Sequence, residues 1–142
     1  MGELSSGRFL MALVLDTHAV IWYLSGSSEL SLTARNAIET EERNGDNVFV
    51  SAISLVEVIY LAEKGRLPSV ALQRLQDALK DPAGSMIVAP LDAEVAGVVQ
   101  QISRSKVPDM PDRIIAATAL RLNAGLVTRD HRLQSAGIRV VW

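Results

Sequence analysis

The sequence predicts an α/β protein: a central parallel sheet of four to five strands sandwiched between layers of helices. Two observations lead there. Short β-rich runs alternate along the chain with stretches of helical pattern, as βαβ units do. The runs are also apolar throughout, as strands buried on both faces are. A third observation directs attention to the strand ends, where ligands bind in such sheets. Four acids, Asp16, Glu57, Asp112 and Asp130, stand at strand ends or helix starts.

The elements follow in order. "ALVL" (Ala12–Leu15) reads as the first strand and "THAVIWYLSG" as the helix after it. "SLTARNAIETEERNG" is a second helix, capped by Ser31 and stopped at Gly45. "VFVS" (Val48–Ser51) is the second strand, and "SLVEVIYLAEKG" a helix from Ser54 to near Gly65. "VALQRLQDALK" is a further helix, broken at Asp81-Pro82. "MIVAPL" gives the third strand and "DAEVAGVVQQIS" the helix behind it. The Pro-bearing loop "RSKVPDMP" leads into the helix "DRIIAATALRLNAG", which Asp112 opens. "LVT" (Leu126–Thr128) is a short strand, and "IRVVW" the last one, with Trp142 as its anchor. Trp22, Tyr23 and Leu24 are read as core packing on the first helix, with a dimer or partner surface as the alternative.

The chain of 142 residues fits one domain, long enough to bury a sizeable core. Residues 1–10, which include "MGELSSGR", read as a flexible N-terminal extension or tag remnant. Residues 11–142 form the single domain, with Met11 a candidate natural start. The apolar run Phe9–Leu15 is too short to span a membrane, and no signal-peptide cleavage pattern follows it. There is no cysteine, which excludes disulfides, thiolate zinc sites and a cysteine nucleophile, and fits a cytoplasmic protein. The net charge of −2 advertises no global field for nucleic acid.

Each of the four acids has a local reading. Asp16 caps the helix beginning at Thr17, and Ser54-Leu-Val-Glu57 fits a capping box. Asp112 after Pro111 caps its helix or complements the dipole, and Asp130 makes an Asx-type turn. Capping leaves the apolar flanks "LVEVIYL" and "DRIIAATAL" unexplained. Several carboxylates at a partly dry sheet edge would repel one another and rise in pKa. A divalent cation removes that penalty, and an oxygen-only donor set suits Mg²⁺ or Mn²⁺.

In series, "LVLDTHAVIWYLSG", "VSAISLVEVIYLAEKGRL", "MPDRIIAATALRLNAGLVTRDHRL" and "IRVVW" resemble PIN-domain ribonucleases, and among them the VapC-type toxins of bacterial toxin–antitoxin pairs. The resemblance runs from about Ala12 to Trp142. It implies a PIN-like α/β/α sandwich, an acidic pocket for Mg²⁺ or Mn²⁺, and endonucleolytic hydrolysis of single-stranded or loop RNA to 5′-phosphate and 3′-hydroxyl ends. It carries the catalytic and metal roles to Asp16, Glu57, Asp112 and Asp130. Asp16 and Asp112 are taken as the strongest ligands, and Glu57 and Asp130 as acting partly through water. Thr128 matches the small hydroxyl residue beside the last acid, and Thr17 is the second supporting residue. Asp109, three residues before Asp112, is read as a solvated acid. Arg113, Arg129 and Arg132 are candidate contacts to RNA phosphates, with solvated surface charge an equally good account. His18 and His131 are candidates for phosphate contact, with a structural helix-start role the preferred reading of His18.

The same resemblance implies a cognate antitoxin, laid as a helix or tail into an apolar groove near Ile21–Leu24 and Val58–Leu61. It also implies a homodimer, without a membrane role. A housekeeping RNA-processing nuclease and a non-catalytic binding module of the same fold remain alternatives. A phospho-acceptor receiver domain is disfavoured, because Thr17 rather than an acid follows Asp16 and no lysine follows "IRVVW".

Overall fold

Alternation along the strands decides the layering. In the computed structural model, which describes residues 12–142, β1 (Leu13–Leu15) sends Leu13 and Leu15 to one core and Val14 to another. The expected extension at residues 1–10 and the start at Met11 lie outside the described residues.

The remaining elements are α1 (Thr17–Ser25), α2 (Leu32–Arg43), β2 (Val48–Ser51), α3 (Ala52–Glu63), α4 (Ser69–Lys80), β3 (Met86–Ala89) and α5 (Ala93–Val98). After a 3₁₀ turn at Val99–Gln101 come α6 (Met110–Arg121), β4 (Gly125–Val127), a 3₁₀ segment (His131–Ala136) and β5 (Val140–Val141). The five strands are all parallel, in the order β3-β2-β1-β4-β5. In register, Leu15 of β1 faces Val50 of β2 on one side and Val127 of β4 on the other.

The first core joins Leu13, Leu15, Val48, Val50 and Val127 to Val20 of α1, Ile38 of α2, Val58 of α3 and Leu75 of α4. The second joins Val14 and Leu126 to Val95 of α5, Ile115–Ala117 of α6 and Leu133. The result is the expected α/β/α sandwich. The chain leaves central β1 toward β2 and β3, then crosses back to place β4 on the other flank. The connections therefore diverge at the β1/β4 boundary, the topological switch point where open α/β sheets form a crevice.

Local chemistry sets the helix ends. Ser31 caps α2 as expected, its hydroxyl accepting from the Ala34 N–H at 3.0 Å. Gly26 closes α1 with φ 66°, a left-handed conformation that a residue without Cβ adopts at little cost. Two helix starts differ from expectation. The capping box at Ser54 does not form: α3 begins three residues earlier, where Ser51 caps it by accepting from the Ile53 N–H at 3.2 Å. Ser51 can do so because it is also the last residue of β2 and still extended. Ser54 is thereby drawn inside the helix and buried, and Glu57 falls in the second turn.

Asp112 likewise does not open α6. Asp109 does, accepting from the Asp112 N–H at 3.1 Å, with Pro111 in the first turn where a missing N–H costs nothing. Near the expected groove, Val58 is buried, while Ile21–Leu24 and Leu61 are half-buried, Ile21–Leu24 packing in part against the first core. The exposed apolar residues of α3 are Val56 and Tyr60, one turn apart. Among the described residues no helix is long and apolar enough to cross a membrane.

Candidate active site

The ends of β1 and β4 are adjacent, and each delivers an acid into the crevice. Asp16 follows β1 directly. Its main-chain N–H donates to the Val127 carbonyl at 3.1 Å, extending the sheet pairing by one residue. Its Oδ1 accepts from the Ala19 N–H at 2.8 Å, the capping role expected of it, and the Thr128 hydroxyl bonds the same carboxylate. Burial raises the Asp16 carboxyl above its ordinary range, and the bonds from Thr128 and Ala19 oppose the rise.

Glu57 arrives from α3 and is held from α1. Thr17 Oγ1, buried behind Asp16, lies 2.5 Å from Glu57 Oε1 and 2.9 Å from Ser54 Oγ. Its single proton goes to the carboxylate, which has none to give. An extended Ser51 brings Glu57 to the crevice from the second helical turn, a position that the capping-box reading could not predict.

Asp112 lies in the first turn of α6. Burial pushes its carboxyl up to about 6, and the negative charges of Asp109, Glu57, Asp16 and Asp130 add to the rise. Asp130 behaves oppositely. Arg132 donates to Asp130 Oδ1 at 2.9 Å and Oδ2 at 2.8 Å, and this bidentate pairing holds the carboxyl below its ordinary range. Asp130 also caps the 3₁₀ segment, accepting from the Arg132 N–H at 3.0 Å, as its Asx-turn reading anticipates.

All four acids line one cavity of about 550 Å³. Asp109, Thr128 and Arg129 line it as well, over a floor of Ile115, Leu126 and Leu133. Oxygen donors over an apolar floor fit a hard divalent cation, and the raised Asp112 carboxyl is the cost of assembling them without one. Among the described residues no three acid or histidine side chains already form a closed ion site. The donor set is gathered around the cavity rather than clenched at one point.

The three arginines separate. Arg113 donates to the carbonyls of Val99 and Ile102 at 3.0–3.2 Å and does not line the cavity, so it ties α6 to the preceding loop. Arg132 is engaged by Asp130. Arg129 lines the cavity and pairs with Glu29 at 2.8 Å. Asp109, read from the sequence as a solvated acid, is exposed yet both caps α6 and lines the cavity. Its signal was present in Asp-Met-Pro, an N-cap residue just ahead of a first-turn proline. His18 and Trp22 also line the cavity, where helix-start and core roles were expected.

The sequence matches the PIN domain family model over residues 13–138. It is 32% identical over 126 residues to Ribonuclease VapC22 of Mycobacterium tuberculosis, covering 89% of this chain and 92% of that protein. Among solved structures, VapBC2 from Rickettsia felis, bound to a DNA fragment from its promoter, superposes with a TM-score of 0.70 at 18% identity, over 92% of this chain and 97% of that one. FitAcB from Neisseria gonorrhoeae superposes with a TM-score of 0.57 at 26% identity, over 90% of this chain and 95% of that one. A family match spanning most of the chain, a relative at this identity and a shared sandwich agree, and the chain belongs to the PIN-domain family.

Proposed function

We propose that this protein is a Mg²⁺- or Mn²⁺-dependent endoribonuclease of the VapC type, a toxin that cleaves single-stranded or loop RNA and is held in check by a cognate antitoxin. The observation that carries the reading is the gathering of Asp16, Glu57, Asp112 and Asp130 around one cavity at the sheet's switch point, with the Asp112 carboxyl raised to about 6. The similarity to a protein named as a ribonuclease supports the activity. The antitoxin partner is supported by structural neighbours described as VapBC and FitAcB. Residues 11–142 form the single domain in this reading, and the protein acts as a homodimer in the cytoplasm.

The chain's own residues divide the work. Asp16 and Asp112 are the ligands of the cation. Asp16 is oriented by Ala19 and Thr128, and the repulsion between Asp112 and its neighbouring carboxylates is what a cation held there would relieve. Thr17 fixes the Glu57 carboxylate and Arg132 fixes that of Asp130, and both carboxylates line the cavity, where they would support a bound cation as outer acceptors. Ile115, Leu126 and Leu133 keep the floor dry, which strengthens each charge interaction above it. The cation, when bound, supplies hydroxide near neutral pH and offsets charge developing on the phosphoryl oxygens. Arg129 at the rim is the residue placed to meet the RNA backbone.

The test replaces the paired ligands. Outer-shell partners of a metal site are worth about 10–100-fold in activity, so Asp16→Asn or Asp112→Asn is expected to reduce RNA cleavage by about 100-fold or more. Wild-type protein is expected to arrest growth on expression, and co-expression of its antitoxin to relieve the arrest. Undiminished cleavage by both variants, measured in Mg²⁺ and in Mn²⁺, sinks the site assignment.

A further inference from the structure

The acidic ring accounts for one side of the cavity and leaves the other side unexplained. His18 and Trp22, one helical turn apart on α1, share a wall with Arg129. The His18 ring is exposed, and its centroid lies 5.5 Å from that of Trp22 at 42°. The Arg129 guanidinium sits 4.5 Å over the Trp22 ring and 5.9 Å from that of Trp142, which meets Trp22 edge-on at 6.0 Å. Both tryptophans of the chain are in this group.

Packing against the first core explains why Trp22 is half-buried. It does not explain an exposed imidazole and a guanidinium seated over an indole ring, both lining a nuclease cavity. Flat groups of this kind, histidine rings and guanidinium planes, are what proteins offer to unstacked bases of single-stranded RNA. A base has a π-face whatever its identity, so such a wall grips a strand without reading its sequence. The guanidinium, paired with Glu29 at 2.8 Å on a solvent-exposed side, sets a cation among the carboxylates of the cavity, where an approaching phosphate needs one.

On the ribonuclease reading above, we infer that His18 and Arg129, the latter backed by Trp22, form a stacking platform for the nucleobase next to the scissile phosphate. The base lies on this wall while its phosphate faces Asp16 and Asp112. Trp22 and Trp142 are positioning residues, which hold the guanidinium at the cavity.

The experiment compares two single-stranded RNAs, one intact and one with an abasic ribose beside the cleaved bond. Loss of a stacked base costs about 5- to 150-fold in binding, so His18→Ala is expected to lower kcat/KM on intact RNA within that range. The same substitution leaves the rate on abasic RNA unchanged, and His18→Phe restores cleavage of intact RNA. In Trp142→Phe protein, where Trp22 is the sole tryptophan, intact RNA changes the emission and the abasic strand does not. Equal slowing of both substrates by His18→Ala, or Trp22 emission indifferent to the base, overturns the platform. A wild-type protein that cleaves no RNA defeats the nuclease reading instead, and the emission titration still decides the platform.

Discussion

Burial and four neighbouring carboxylates raise the Asp112 carboxyl to about 6 in the cation-free protein. The folded state then binds more protons than the unfolded chain between about pH 4 and pH 6, so this group's contribution is favourable in acid and is lost as the pH rises through about 6. At pH 7 the ionised side chain works against the fold. One pKa unit corresponds to about 1.4 kcal/mol, and half-exposure together with the favourable α6 dipole reduces the net effect to about 1 kcal/mol. Without divalent cation, Asp112→Asn is therefore expected to melt about 3 °C above wild type at pH 7, with the gap closing toward pH 4. Thermal scans in chelator across that range would show it, and coincident melting at pH 7 would remove the argument. Thr17 gives a second test at this scale. Thr17→Val keeps the shape but strips the proton from Glu57 Oε1. An outer-shell loss of this kind is expected to cut cleavage by about 10-fold, while Thr17→Ser retains it.

Among the elements, α3 shows how a few residues of local sequence set the geometry of the site. Both Ser51 and Ser54 are plausible caps in "SAIS", and the Glu three residues after Ser54 favoured the later one. The buried β2 strand decided otherwise by ending at Ser51 in an extended conformation, which only tertiary pairing with β1 and β3 determines. A cap serine is worth about 1 kcal/mol, so Ser51→Ala is expected to lower the melting temperature by about 3 °C. An unchanged melting temperature would place the helix start elsewhere. The same ambiguity recurred at α6, where Asp109 and Asp112 are both good first-turn acids. Element types were legible because apolar runs and helical periods differ strongly. Strand order was not, since three of the strands have three residues or fewer and carry no record of their partners. The four acids were legible as strand-end and helix-start residues. Their company with His18 and Trp22 was not, because that depends on how α1 lies along the crevice.

At the scale of the whole molecule, the cavity is the seam between the two cores. Asp16 extends central β1, Glu57 rides on α3, Asp112 on α6, and Asp130 follows β4. A cation held by these acids would add a tie between α3 and the two helices it already packs against, α1 and α6, and the strand ends beside them, and binding to the folded state alone stabilises by mass action. At a concentration near 100 times Kd the gain is about 2.7 kcal/mol, or about 8 °C for a domain of this size. Added Mg²⁺ or Mn²⁺ should therefore raise the melting temperature of wild type and suppress the rise in the Asp112 carboxyl. Asp112→Asn should gain far less from the same cation while starting from a higher cation-free baseline. These two effects have opposite signs, so a merely destabilising substitution cannot imitate the pair. Calorimetric scans of both proteins, in chelator and across a cation titration, would read them together. Equal gains in wild type and variant would mean that the ion binds outside the acidic cavity.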